Sequence, residues 1–331
     1  MIKALKKIVP TYVKYLYRAI PDYYYDLKRF YKYASNQGVK NSEVKYIGHI
    51  VKRYHVIEKG LTMPSPRLGF GKEIVSDLIS LCNCYIDIYG IANIQLRNAI
   101  AVLLAYIEFH KEKSYAIAKD IVMAIIELSQ RVKEGDDVLV QQQIHITRED
   151  YFNDIEKSFE MFSNSRKSVR NYADKDLPIE KILKAIDLAR NTPTSCNRQS
   201  NRVYIYTDKQ KIQEILKLQG GSRGFLELAN KLIIITNELG VYESTRERKQ
   251  GYIDGGIYTM NLLYTLHYNK VACCVLNCCN SKKNDIKIRK IADIKETEEL
   301  VVMIACGEAV ENFEIASSPR IPIENFIKII E

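Results

Sequence analysis

The chain has no tryptophan, only five histidines, and no apolar run of the roughly 18 to 20 residues that a membrane-crossing helix requires. A spanning segment is therefore not expected. No leader with a small-residue cleavage site is visible, and the CxxC spacing typical of paired metal ligands is missing. The eight cysteines stand at 82, 84, 196, 273, 274, 278, 279 and 306, four of them as adjacent pairs, with His267 the nearest histidine to those pairs. This pattern reads as small thiols in a buried strand and not as a metal centre, so no metal is expected and a reducing, cytoplasmic setting fits best. Paired carboxylates and a convincing catalytic histidine are also lacking. His55, His110 and His145 read as surface or packing residues, and no acid–base residue is singled out.

What is present is enough apolar material, 47% of 331 residues, for one large domain or two ordinary ones. The net charge of +9 is unevenly spread. From Met1 to Ala34, Lys3, Lys6, Lys7, Lys14, Arg18, Lys28, Arg29 and Lys32 face only Asp22 and Asp26, interleaved with tyrosines. The first reading is a basic amphipathic helix packing its apolar stripe on the rest of the protein. The alternative is peripheral contact of residues 1–34 with an anionic membrane surface. No nucleic-acid partner is expected, because nothing else resembles a recognition module.

Residues 1–150 read as a helical domain. Glu73–Tyr89, Ile94–Phe109 and Ser114–Val132 carry apolar residues at three- and four-residue spacing, with Gly90 and Gly135 as stops. The prolines and glycines of residues 55–73 predict an ordered loop in place of a continuous helix. Residues 151–331 alternate helices (Ile179–Arg190, Lys209–Leu218, Gly255–His267) with β-rich runs (Val203–Thr207, Leu232–Thr236, Val271–Leu276, Leu300–Cys306), which implies an α+β sheet domain.

Two polar clusters in this second half carry chemistry. Arg166, Lys167, Ser168 and Arg170 gather three cations and a hydroxyl within five residues, a composition suited to charge-assisted hydrogen bonds with a phosphate. Thr194, Ser195, Asn197 and Gln199 follow in a loop opened by Pro193, and their short hydroxyl and amide groups suit the edge of a heteroaromatic ring or its polyol chain. A solvated charge run and Asx/ST turn chemistry are the plain alternatives.

From about Phe159 to the C-terminus the sequence resembles the nitroreductase family of FMN-dependent oxidoreductases. The resemblance lies in SRKSVRNY, in TPTSCNRQSNRVYIY, in ELANKLIIIT, in the run GYIDGGIYTMNLLYTLHYNKVACCVLN with Asp254 and Asn261, and in IACGEA with SSPRIPIENFI. It implies a nitroreductase-like central mixed sheet flanked by helices, preceded here by an all-α N-terminal domain, and an intertwined homodimer. It further implies that Arg166, Lys167, Ser168 and Arg170 hold FMN from one subunit, with Arg320 closing on the phosphate. Pro193, Thr194, Ser195, Asn197 and Gln199 would come from the other. Asn277 and Cys278 would present backbone groups to flavin N5 and O4, and Arg223 a positive charge near N1 and O2.

The implied activity is transfer of hydride or electrons from NADH or NADPH through FMN to a small electron-poor acceptor, with flavin-centred chemistry and no catalytic side chain. Two alternatives stand beside it: a flavin-dependent dehydrogenase or oxidase of a biosynthetic intermediate, and a membrane-surface accessory protein with an inactive flavin fold. The sequence departs from the family where Ser200-Asn201 replace the usual Pro-Trp. The intervals 206–232 and 236–255, which usually carry the helices covering the flavin, are also short. The N-terminal helical domain, through the Pro64–Gly71 loop, is the expected replacement for that cover; an enlarged dimer interface is the competing view.

Overall fold

Leu232, Ile233, Ile234 and Ile235 are fully buried in succession, and alternate residues join two different apolar clusters. A period-2 run buried on both faces is a central strand covered by a layer on each side. In the computed structural model, which describes residues 10–34, 42–132 and 143–330, this strand is β3 (Lys231–Glu238) of a four-stranded sheet. The order is β2 (Asn201–Tyr206), β3, β5 (Glu298–Gly307), β4 (Ala272–Asn277). All three pairings are antiparallel, where a mixed sheet was expected. The register explains this: Tyr206 lies opposite Leu232, so α9 (Lys209–Gln219) and residues 220–230 form an excursion that leaves and re-enters at one end of the sheet. Residues 278–297, with α11 (Lys282–Ala292), do the same between β4 and β5.

The helices α9 and α11 cover one sheet face, around Ile212, Leu216, Ile234, Cys274 and Ile288. The other face is covered by α8 (Ile179–Ala189) and α10 (Gln250–Tyr268), around Ile182, Ala185, Ile233, Leu262, Leu266 and Cys273. Helix α10 crosses β5 so closely that a Cβ on Gly255 would lie 2.7 Å from a Val301 methyl. Two strands escaped the sequence reading, β1 (Gln143–Thr147) and β6 (Asn312–Ala316), which pair antiparallel and pack Ile144, Ile146, Phe313 and Ile315 on the sheet core. Residues 143–147 thus join the C-terminal half. Short α6 (Arg148–Phe152) and α7 (Phe159–Ser165) follow β1.

The N-terminal half builds its own core from α2 (Glu43–Leu61), α3 (Lys72–Tyr89), α4 (Ile94–Glu112) and α5 (Lys119–Val132), through residues such as Tyr54, Leu78, Leu96, Tyr106 and Leu128. Helix α2 runs through residues 55–61, which had read as loop. Gly60 is a packing glycine and not a breaker, because the Phe70 ring fills the space its Cβ would need. Ser114 lies outside α5, in a turn at φ 53°. Gly135 and residues 1–9 fall outside the described residues.

Helix α1 (Thr11–Tyr33) reverses the expected packing. Its two acids are anchored on residues 245–249: Asp22 accepts from Thr245 (2.6 Å), and Asp26 pairs with Arg248 (2.6 Å) and Lys249 (2.9 Å). Among its described side chains only Ala19 is buried, while Tyr12, Tyr15, Tyr17, Ile20, Tyr24 and Leu27 are exposed. The acidic face docks because Asp22 meets a hydroxyl and Asp26 meets two cations within residues 245–249, which leaves the aromatic stripe outward. Among the described residues no helix is long and apolar enough to cross a membrane.

Candidate functional site

The first cluster lies on the extended segment that leaves α7. Val169 N donates to Cys273 O (3.0 Å) and Tyr151 Oη to Lys167 O (2.8 Å), so backbone pairing with β4 fixes where residues 166–170 point. Arg170 is buried, with Arg166, Lys167 and Ser168 half-buried. The Nε atoms of both Arg166 and Arg170 are buried with no hydrogen-bond partner. Buried polar groups are rarely left unpaired, so two such donors in one segment fit an anionic ligand. Burial holds the Lys167 ammonium below its usual pKa, and nearby Arg320 and Arg166 lower it further. Arg320 is exposed and donates to Ser318 O (3.0 Å).

Behind this segment stands His267, fully buried on α10, its Nε2 2.8 Å from Ser165 Oγ. Burial, and then Arg166, push its pKa down to about 4, so it is neutral at pH 7. The sequence reading gave His267 no such place.

The second cluster is held at the other end of α10. Asp254, buried, accepts from Ser195 N (3.2 Å), and Asn261 donates to Thr192 Oγ1 (2.7 Å). Cys196, Asn197 and Gln199 all adopt left-handed φ (52°, 54° and 49°), a tight loop closed by Gln199 N on Thr194 Oγ1 (2.9 Å) and by Arg198, which pairs with Glu247 (2.5 Å). Pro193, Asn197 and Gln199 are exposed on it. Ser200 is buried and accepts from Asn237 Nδ2 (2.7 Å), which accounts for a hydroxyl at a position where the family pattern has proline. Asp254 and His267 stand thirteen residues apart on one helix, about 20 Å at 1.5 Å per residue, so a single chain does not bring the two clusters together.

Asn277 ends β4, exposed, its carbonyl accepting from Gln219 Nε2 (3.0 Å); Cys278 is half-buried, with burial pushing its thiol up to about 12. Cys273 and Cys306 are buried thiols of adjacent strands. Among the described residues no group of three or more His, Cys, Asp or Glu gathers as metal ligands. Arg223 is exposed, donating to Gly220 O (3.3 Å).

The helical half reaches this region through the end of α2. Buried Glu58 accepts from Ser318 N (3.1 Å), Leu61 O accepts from Gln143 (2.9 Å), and Met63 Sδ lies 3.0 Å from where a Cβ on Gly224 would be. The 64–71 loop instead turns back on its own half, Gly69 N donating to His110 Nε2 (2.9 Å) and Phe70 O accepting from Tyr106 (2.8 Å).

The nitroreductase family model matches residues 164–221, a segment that contains both clusters. The C-terminal half of this chain is similar to the nitroreductase family. Solved structures similar to this nitroreductase-like half include a nitroreductase family protein from Streptococcus pneumoniae TIGR4, at 16% identity and TM-score 0.46, covering 52% of this chain and 100% of that one. An FMN-dependent nitroreductase from Clostridium difficile R20291 has 21% identity and TM-score 0.40, with 45% and 87% covered. A nitroreductase-like protein from Streptococcus mutans has 18% identity and TM-score 0.45, with 52% and 98% covered. No match was found among curated proteins.

Proposed function

We propose that the chain is an FMN-dependent oxidoreductase that works as a homodimer, taking electrons from NADH or NADPH and passing them to a small electron-poor acceptor. The observation that carries this reading is the pair of buried, partnerless guanidinium Nε atoms, Arg166 and Arg170, inside the family-matched segment. FMN, when bound, supplies hydride and electron transfer at its N5. Arg166, Lys167, Ser168 and Arg320 would hold its phosphate and ribityl chain, and Arg170 and Arg223 its pyrimidine edge. Backbone groups of Asn277 and Cys278 would face N5 and O4. The loop Pro193, Thr194, Ser195, Asn197 and Gln199 would complete the pocket of the other subunit, because about 20 Å of α10 separates it from Arg166 in its own chain.

A dimer is also supported by the exposed stripe Ile253, Ile257, Met260 and Tyr268 on α10, side chains that a second copy would remove from water. Purified protein with a flavin band that bleaches within seconds of anaerobic NADPH or NADH addition would support the reductase. A flavin band indifferent to both would point to a dehydrogenase or oxidase, and a colourless protein unable to take up FMN would defeat the flavin reading.

One observation favours a second role for the same chain. The outward aromatic stripe of α1, flanked by Lys14, Lys28, Arg29 and Lys32, suits the headgroup layer of an anionic membrane. Flotation with phosphatidylserine vesicles but not with phosphatidylcholine vesicles is the expected result; no flotation with either removes that role.

A further inference from the structure

Lys59 stands in the last turn of α2, and its neighbours fix where that turn sits. Glu58 is tied to Ser318 N, Leu61 to Gln143, and Met63 abuts Gly224. The end of α2 is thereby held between the segment that carries Arg320 and the turn that carries Arg223. Six cations border this place, and they divide into two trios. Lys167 responds to Arg320 and Arg166, whereas Lys59 responds to Arg170 and Arg223.

On the flavin reading, the cofactor's phosphate would satisfy one trio. The other keeps Arg170 Nε buried and unpaired, and the groups acting on half-buried Lys59 are Arg170, the Cys274 thiol and Arg223, with no carboxylate among them. Like charges gathered in a partly dry place are stabilised by an electron-rich partner.

We infer that Lys59, supplied by the helical half, is a cofactor-contacting residue that joins Arg170 and Arg223 at the pyrimidine edge of the flavin and holds the negative charge left on the ring by two-electron reduction. This rests on the flavin reading above. It also gives the N-terminal half a chemical role beyond cover: the redox poise of the cofactor would depend on a side chain from outside the nitroreductase-like half.

The test uses full-length, FMN-loaded protein carrying Lys59→Gln, Lys59→Met or Lys59→Arg, with Arg223→Gln beside them, and reads the flavin midpoint potential by dye equilibration and the FMN Kd by fluorescence. K59Q and K59M are expected to lower the potential by about 30 mV or more, the equivalent of a tenfold loss in stabilisation of the reduced ring. K59R is expected to restore most of it, and R223Q to shift it the same way as K59Q. A K59Q protein with wild-type potential and wild-type FMN Kd overturns the inference and leaves the flavin reading standing. Wild-type protein that takes up no FMN overturns both, and does so before any variant is made.

Discussion

Arg170 is buried and Arg166 half-buried, and the Nε of each is shielded from water without an acceptor, so the ligand-free chain carries a local penalty that a bound anion would relieve. Arg166→Met is therefore expected to leave the melting temperature of FMN-free protein unchanged or raised, while weakening FMN about ten- to a hundredfold, the usual worth of a charge-assisted hydrogen bond. Melts of the stripped protein together with an FMN titration check both halves of that statement.

His267 sets a second expectation. In the native chain it stays neutral down to about pH 4, whereas the unfolded chain protonates it below about 6.5. The unfolded state then binds the extra proton, so stability is fully present above pH 6.5 and falls as pH drops toward 4, by at most about 3 kcal/mol. Urea unfolding at pH 7, 5.5 and 4.5 should show that slope, and His267→Phe, placed among Tyr151, Phe152 and Phe162, should flatten it. Arg166, Lys167, Ser168 and Arg170 were legible in the sequence because they are adjacent. Lys59 and His267 were not, because each reaches the site through a helix whose direction only packing determines.

At the scale of elements, hydrophobic period recovered β2, β3, β4, β5 and the helices α8 to α10 to within a few residues, since each buries a regular face. It failed where one residue type had two explanations. Gly60 read as a break and is a contact for Phe70, and β1 is a five-residue strand whose Ile-His-Ile-Thr alternation is too brief to stand out. Gly255 offers a sharper test of close packing. Gly255→Ala would drive a Cβ into Val301 and is expected to cost about 1–3 kcal/mol in urea unfolding, with α10 pushed off β5. The docking of α1 rests on ionised Asp26, held down to about pH 2 by its hydrogen bonds to Arg248 and Lys249. Its charge is present above the ordinary carboxylate range and lost only as pH falls toward 2, so α1 should remain docked at pH 5. Asp26→Asn should speed tryptic cleavage at Lys28 and Arg29, whereas lowering the pH of wild type from 7 to 5 should not loosen α1.

At the scale of the whole molecule, the outward row on α10 gives the expected dimer a testable seam. Ile257→Asp should convert a species of twice 38.2 kDa into one of 38.2 kDa in sedimentation, and FMN should be lost with it. Retention of FMN by a monomer would refute the shared pocket. The change of hydrophobic period near the middle of the chain, from helical spacing to short β-rich runs, was readable. The exposed side of α1 was not, since an amphipathic pattern tells which residues share a face but not which face meets the protein.

The distance along α10 between Ser195's anchor and Arg166's neighbour His267 bears on inheritance of activity as well as on architecture. A chain disabled at Arg166 and another disabled in the 193–199 loop carry complementary faults. Mixed and allowed to exchange subunits, they would form hybrids in which one pocket receives both lesions and the other receives neither. At equal proportions about a quarter of all pockets would be intact. Two inactive preparations would thus recover activity on mixing, and two genes each encoding a dead product could together sustain a live one.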